Sequence, residues 1–401
     1  VFKITMSGIK YLPQDLNLEN KTIILRVDLN VPIIEKKIQD FTRILLILPF
    51  LEELIKKKSK IIIISHLGRP KGIKNATLSL LPIYKHLKEK LNTNMYFYTG
   101  EINDELKAKC SYLKNSEVLL IENIRFFKEE TDNEENFSKK IGELGEIYIN
   151  DAFSCSHRKE ASIHGITKFI KNTYAGPLLK KEITAIDSVV KNKKEPMTCI
   201  IGGSKISTKI TVISNLIKKA TNIVIVGAMA NNFLSHNHYE IGKSLQEDNS
   251  SEIIKKILHQ AKKNKCNVII PEDCLVSKNF EGSAITKDVK SIEKDDMILD
   301  IGPKTLKIIE KIIDTSNTVM WNGPAGYFEN KNFAIGTNSI AQKISENTIK
   351  KSLVSVLGGG DTVSAINKSG LKLSFTHLST AGGAFLEYLE GKDLPGLVVL
   401  K

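Results

Sequence analysis

The chain has 401 residues, 41% of them hydrophobic and 26% charged, with a formal net charge of +13, which is enough for two cores of roughly 150 to 200 residues each. Its longest apolar runs, around Leu45–Leu51 and Ile61–Ile64, fall far short of the ~20 residues of a membrane span, so no membrane partner is expected. The five cysteines, Cys110, Cys155, Cys199, Cys266 and Cys274, are scattered and never form a CxxC pair, which argues for reduced thiols and against a disulfide framework or a zinc site.

At the amino terminus, Val1–Leu12 alternates apolar with polar residues and has no continuous apolar stretch of the kind a secretory signal needs. A cytoplasmic location is the expectation. The abundant Lys is spread along the chain together with much Ile and Asn, and no basic cluster is interleaved with aromatics. The charge therefore reads as solvated helix faces, no nucleic-acid partner is expected, and a basic cleft for small phosphorylated anions remains compatible.

Short Ile- and Val-rich runs then alternate with longer amphipathic segments: Thr22–Asp28, Arg43–Lys58, Lys60–Ser65, Leu80–Leu91. That rhythm predicts βαβ units. Ile61–Ile64, Val118–Ile121, Ile223–Val226 and Val268–Ile270 are continuously rather than alternately hydrophobic, as strands of parallel sheets covered on both faces are. A break at Asn172–Pro177 precedes a helical pattern over Leu178–Val190, after which the βα rhythm restarts at Thr198–Gly203. The predicted fold is α/β: two doubly wound parallel-sheet, Rossmann-like domains, 1–173 and 193–390, joined by a hinge and connecting helix over 174–192.

In open α/β sheets ligands sit beyond the carboxyl ends of the strands, and four strand ends of the first half are unusually polar. They read Asp28-Leu29-Asn30-Val31-Pro32, Ser65-His66-Leu67-Gly68-Arg69-Pro70, Glu122-Asn123-Ile124-Arg125-Phe126, and Asn150-Asp151-Ala152-Phe153 running on to His157-Arg158. A chain that otherwise uses Lys keeps Arg43, Arg69, Arg125 and Arg158 near these ends. Arginine's planar fork matches phosphate and carboxylate oxygens, so the four together predict an anion-binding rim.

Ile24-Leu25-Arg26-Val27-Asp28-Leu29-Asn30-Val31-Pro32 resembles the signature segment of the phosphoglycerate kinase family, and Ser65-His66-Leu67-Gly68-Arg69-Pro70 resembles its second substrate motif. The resemblance implies that Asp28 and Asn30 hold the glyceryl hydroxyl end of the substrate. It implies that His66, Arg69, Arg125 and Arg158, with Leu67 and Gly68 in the same motif, surround the non-transferred 3-phosphate, while Arg43 reaches toward the carboxyl and the migrating phosphoryl. It further implies a monomer whose tail, 391–401, returns to the first domain. Where many family members read His-Arg-x-His-Ala-Ser, this chain reads His157-Arg158-Lys159-Glu160-Ala161-Ser162. A carboxylate beside an anion site is unfavourable unless paired, and Lys159 is the neighbour at hand.

In the second half, Thr198–Gly203 reads as a strand running through Gly202-Gly203-Ser204-Lys205-Ile206-Ser207-Thr208-Lys209 into a helix, with both lysines on one helical face. No Walker A pattern is present, and no GxGxxG follows the first strand, so neither a P-loop kinase nor a nicotinamide dehydrogenase is indicated. Gly358-Gly359-Gly360-Asp361-Thr362 and Ser379-Thr380-Ala381-Gly382-Gly383 offer bare amides at helix starts, and Asp361 offers a carboxylate for Mg²⁺. By the resemblance, Asn322 and Glu329 border the nucleotide. Ala228 and Ala381 stand where glycine is frequent in the family, which would narrow the adenine pocket or restrict the turn.

The implied reaction exchanges a phosphoryl group between ADP or ATP, with Mg²⁺, and 3-phosphoglycerate or 1,3-bisphosphoglycerate. A carboxylate acceptor is already ionised at neutral pH, so no general base is required. The expected stabilisers are Arg43, Lys205 and the amides around Gly359-Gly360 and Gly382-Gly383, with Lys209 on the inner phosphates and Gly203 among the nucleotide-binding residues. Closure is expected to bend at Tyr174–Pro177, the connecting helix and Ser379–Gly383.

Overall fold

The computed structural model describes residues 8–401; residues 1–7, part of the segment considered above as a secretory signal, lie outside the described residues. The chain divides into two compact units, 1–182 with 393–401, and 183–392. Both are α/β with parallel sheets.

The first unit is built on strands β1 (Thr22–Arg26), β2 (Lys60–Ile64), β3 (Met95–Tyr98), β4 (Val118–Ile121), β5 (Ile147–Asn150) and β6 (Asn172–Ala175). They form one sheet in the order β3-β4-β2-β1-β5-β6, every pair parallel. Ile61, Ile62, Ile63 and Ile64 are all fully buried, so successive side chains on opposite faces both meet protein, as the unbroken apolar run predicts. Helix α1 (Thr42–Lys56) covers one face: Ile44, Ile47, Leu51 and Leu54 recur at helical spacing and are buried in a cluster with Ile61, Ile63 and Val118. Each such side chain contributes about 1.5–3 kcal/mol of burial.

Segment 172–175, read from the sequence as a break, is the edge strand β6. Its amides and carbonyls are tied down on both sides: Gly176 N donates to Asn150 O at 2.9 Å, Ala175 N to Lys10 O at 2.8 Å and Leu12 N to Ala175 O at 3.1 Å. Residues 393–401 complete the unit, with Lys10 N donating to Leu400 O at 2.7 Å and Gly396 N to Ser156 O at 2.9 Å. Helix α2 (Pro177–Val190) starts on the buried carboxylate of Asp151, whose Oδ1 accepts from Leu179 N at 2.9 Å; burial pushes that carboxyl up to about 7. The division between the units falls inside this helix, after Glu182.

The second unit contains β7 (Met197–Ile201), β8 (Asn222–Ile225), β9 (Asn267–Ile269), β10 (Asp273–Ser277), β11 (Ile285–Asp288), β12 (Met297–Ile301), β13 (Thr318–Asn322), β14 (Val354–Gly358) and β15 (His377–Ser379). The main sheet runs β9-β8-β7-β13-β14-β15, and β11-β10-β12 form a separate sheet that is antiparallel. The main sheet reverses direction of growth beside β7, the switch point at which doubly wound sheets open a crevice. Its helices include α3 (Ile210–Ile217), α4 (Ala228–His236), α5 (Pro303–Thr315), α6 (Ile335–Lys351), α7 (Gly360–Ser369) and α8 (Gly382–Leu389).

Candidate active site

All five arginines of the chain, Arg26, Arg43, Arg69, Arg125 and Arg158, lie at or just beyond the carboxyl ends of first-sheet strands, or on the helix that follows β1. Arg26 was not among the residues singled out from the sequence, because it reads there as part of strand β1. It is fully buried, donating from Nε to Ser162 Oγ at 2.8 Å and from Nη1 to Val27 O at 2.6 Å. Its Nη2 lies 3.4 Å from His66 Nδ1. A guanidinium only donates, so Nδ1 accepts and Nε2 carries the ring hydrogen.

Burial, followed by the charges of Arg26, Arg125, Arg43 and Arg158, holds His66 well below the usual imidazole range. His66 is thus a neutral hydrogen-bonding group, and four guanidinium charges converge on its ring. Arg43 is held by Asp28, Nη1 to Oδ2 at 2.8 Å, and donates to Asn30 O at 2.8 Å. Asp28 Oδ2 also accepts from Ser154 Oγ, and Asn30 Oδ1 accepts from Gly68 N at 2.9 Å. The two signature loops are therefore bonded to each other.

Arg125 is buried, with Nη1 donating to Gly68 O at 3.1 Å and Nη2 to Glu160 Oε1 at 2.8 Å. Glu160 therefore pairs with Arg125, and at 3.9 Å with Arg158; its sequence neighbour Lys159, the partner suggested by adjacency, is exposed. Arg69 is exposed; no ion pair involving it occurs among the described residues. Leu67 points into the core, and its carbonyl accepts from Asn123 Nδ2 at 2.7 Å, so it supports the loop from below. Asn123, part of that polar strand end but assigned no role from the sequence, also binds Leu78 O at 2.9 Å and fixes the β4 loop that carries Arg125.

In the second unit, the parallel register pairs Ile201 with Asn322, Trp321 with Leu357 and Gly358 with Ser379. The three glycine-rich turns and the Asn322 turn consequently emerge along one sheet edge. Gly202 and Gly323 pass so close that a Cβ on Gly202 would lie 2.7 Å from Gly323 O, so neither position tolerates a side chain. Gly359, at φ +105°, precedes helix α7, a backbone conformation L side chains rarely adopt. Asp361 is exposed on the first turn of α7, where backbone amides and the helix dipole favour anions.

Thr362 is buried, donating to Gly358 O at 3.0 Å and accepting from Gly323 N at 2.7 Å; its hydroxyl joins two turns. Asn322 donates from Nδ2 to Gly358 O at 2.7 Å. Gly360 and Gly383 are exposed at the starts of α7 and α8, and a Cβ on Gly360 would meet nothing within 4 Å. Ala381 adopts φ −93°, ordinary for any residue, so its methyl introduces no strain. The predicted helical face for Lys205 and Lys209 is not formed: α3 begins only at Ile210. Gly203 at φ +110° and the bond from Ser207 N to Glu247 Oε2 at 3.0 Å keep this segment an irregular loop. Lys205 is exposed there, whereas Lys209 folds back on Gly202 O at 2.6 Å.

Beside these turns opens a cleft of about 240 Å³. Ala228, Met297, Leu299, Pro324 and Tyr327 supply apolar walls, and Gly203, Glu329 and Asp361 lie on the polar side. The mix, apolar walls beside phosphate-suited amides, is that of a small-ligand site. Asn231, a further lining residue that the sequence reading missed, is buried with its Oδ1 unpartnered.

Comparison with known proteins decides what such a pair of surfaces belongs to. The family model described as "Phosphoglycerate kinase" matches residues 13–392. The chain belongs to the phosphoglycerate kinase family. The phosphoglycerate kinase of Wolbachia pipientis wMel is 44% identical over 390 residues, covering 97% of this chain and 98% of that one. That of Dictyoglomus turgidum is 42% identical over 390 residues, 97% of each. Among solved structures, phosphoglycerate kinase from Coxiella burnetii superposes with a TM-score of 0.87 at 37% identity, over 96% of this chain and 97% of that one. The enzyme from Pyrococcus horikoshii OT3 gives 0.82 at 28% identity, over 97% and 98%. The chain has the two-domain α/β fold of phosphoglycerate kinases and their activity, a glycolytic phosphotransfer with a carboxyl group as acceptor.

Lys209 is the titratable group of the Gly202–Gly203 turn. Burial, opposed by the Asp361 carboxylate, lowers its ammonium to about 8. The lysine is charged below that pH and neutral above it, so anion binding at this turn should weaken several-fold as pH rises from about 7 to 9. Equilibrium titration with MgADP across this range checks it, and Lys209→Met should flatten the profile.

Proposed function

We propose that the chain catalyses the reversible, Mg²⁺-dependent transfer of a phosphoryl group from 1,3-bisphosphoglycerate to ADP, with the phosphorylated acid on the arginine rim and the nucleotide on the glycine-rich edge. The observation that carries this assignment is the gathering of all five arginines at one sheet edge in a chain whose other cations are lysines. Asp28 and Asn30 take the glyceryl hydroxyl, and His66, Arg69, Arg125 and Arg158 take the 3-phosphate; Arg43 addresses the carboxyl. Gly203, Lys209 and Gly358–Asp361 take the nucleotide phosphates, with Asn322 and Glu329 near the ribose. Leu67 and Thr362, both buried, serve by holding these turns.

An exposed carboxylate at the start of α7 fits a hard cation that takes one or two carboxylates plus substrate phosphates; Asp361 would hold Mg²⁺, which when bound neutralises developing phosphate charge. The transferred group carries its charge on peripheral oxygens, and catalysis is positioning plus electrostatic stabilisation. Arg43, Lys205 and the Gly360 and Gly383 amides supply that stabilisation. No protein group need move a proton, in keeping with a neutral His66. In-line attack requires reacting atoms about 3–3.5 Å apart with water excluded, so we infer a closure bending at the connecting helix. A monomer in the cytoplasm completes the reading; five free, buried cysteines suit a reducing compartment.

A coupled assay tests it: ATP- and 3-phosphoglycerate-dependent formation of 1,3-bisphosphoglycerate, abolished by chelating Mg²⁺, is the expected result. Turnover with another acceptor but none with 3-phosphoglycerate would overturn the substrate assignment.

A further inference from the structure

We propose that Glu160 is an internal competitor for the Arg125 fork, holding the guanidinium that an incoming phosphate needs and so setting the affinity of the arginine rim below what its cations alone would deliver. This rests on the reading of that rim as the 3-phosphoglycerate site. The Arg125–Glu160 pair is short, 2.8 Å, and both side chains are almost completely buried, at 5% and 4% exposure. Arg125 Nη1 is engaged by Gly68 O and Nη2 by the carboxylate, while Nε has no partner. Gly68 O and the carboxylate each take one N–H of a terminal nitrogen, so a phosphate would use the remaining donors of a guanidinium whose charge is already paired with Glu160.

Glu160 is also firmly placed. Its carbonyl accepts from Ile163 N at 3.2 Å and His164 N at 2.7 Å, so the turn that follows fixes where the carboxylate stands. The same Oε1 lies 3.9 Å from Arg158 Nη1, and Oε2 is buried without a hydrogen-bond partner. A carboxylate with one oxygen unsatisfied is not there to complete a hydrogen-bond network. Its charge is felt within the cluster: burial, and next the charge of Glu160, push Glu130 up to about 7. Solvent screens such a charge little, and an incoming phosphate must either share Arg125 with it or displace it.

Equilibrium binding of 3-phosphoglycerate decides the matter, measured by calorimetry on the full chain with Glu160→Gln, Glu160→Asp and Arg69→Ala, together with steady-state kinetics. Removing one poorly screened negative charge should tighten binding on the order of tenfold. KM for 3-phosphoglycerate should fall in parallel and kcat should change less, with Glu160→Asp close to the parent. Arg69→Ala should weaken binding. If it does so while Glu160→Gln binds equally or more weakly, the competitor role is wrong; if Arg69→Ala binds as the parent does, the substrate assignment itself fails. Glu160→Met, also uncharged, provides the same comparison should Glu160→Gln not fold, and unchanged or weaker binding there overturns the proposal equally.

Discussion

Arg43→Ala and Lys205→Ala should each lower kcat by a factor on the order of 10² to 10³, the range found when one preorganised donor to a developing anion is removed, with KM altered far less. Arg43 is held in place before any ligand arrives, by Asp28 at 2.8 Å and the Asn30 carbonyl at 2.8 Å, so its charge needs little reorganisation at the moment of transfer. Lys205 differs: it is exposed on an irregular loop, and among the described residues its ammonium makes no ion pair. Its substitution should therefore leave folding untouched and register only in turnover. Rapid-quench kinetics separate the chemical step from product release. A large rise in KM with kcat preserved would make both residues ground-state binders.

Arg26→Ala should destabilise the first unit by about 3–5 kcal/mol, the cost of stripping the cation from a buried charged network. Arg26 binds Ser162 Oγ, and Ser162 in turn donates to Glu130 from its hydroxyl at 2.6 Å and its amide at 2.8 Å. Glu130, pushed up to about 7 by burial and by Glu160, is protonated below that pH and needs no cation there. Above it the parent's carboxylate is ionised, and the variant, lacking the Arg26 charge that lowers Glu130, must either keep the proton or hold an uncompensated buried charge. The loss should thus be smaller near pH 5.5 than near pH 8, as measured by urea denaturation at both. An equal loss at both values would assign the effect to packing.

Much of this was legible in the chain because parallel strands buried on both faces leave an unbroken apolar run. Ile61–Ile64 and Val118–Ile121 could be read directly, and the polar residues after them marked the sheet edge. Strand β6, Asn-Thr-Tyr-Ala, could not, since an edge strand needs apolar residues on fewer positions and its pairing with β5 depends on a distant partner. In the antiparallel sheet of β10, β11 and β12, strand β11 escaped for a related reason: Ile285–Asp288 is largely exposed, and it is held by ladder bonds to β10 rather than by burial.

At the site, residue type pointed to the rim, but partners did not follow from adjacency. Glu160 finds Arg125, 35 positions away, because the β4 and β5 loops meet above the sheet. Arg26 was hidden inside a strand, although its side chain reaches the same cluster from below. Lys205 and Lys209 were placed on a helix by spacing alone. Gly203 and the Glu247 contact delay that helix to Ile210, leaving one lysine exposed and the other folded onto Gly202.

Separate titrations of 3-phosphoglycerate and MgADP into Arg158→Ala and Lys209→Met test most directly whether each unit carries its own anion cradle. The arginine variant should lose affinity for 3-phosphoglycerate by about tenfold, the scale of one charge-assisted contact, and bind MgADP as the parent does. The lysine variant should do the reverse. Equal losses for both ligands in either variant, or 3-phosphoglycerate binding indifferent to Arg158, would contradict the assignment of one reactant to each sheet edge.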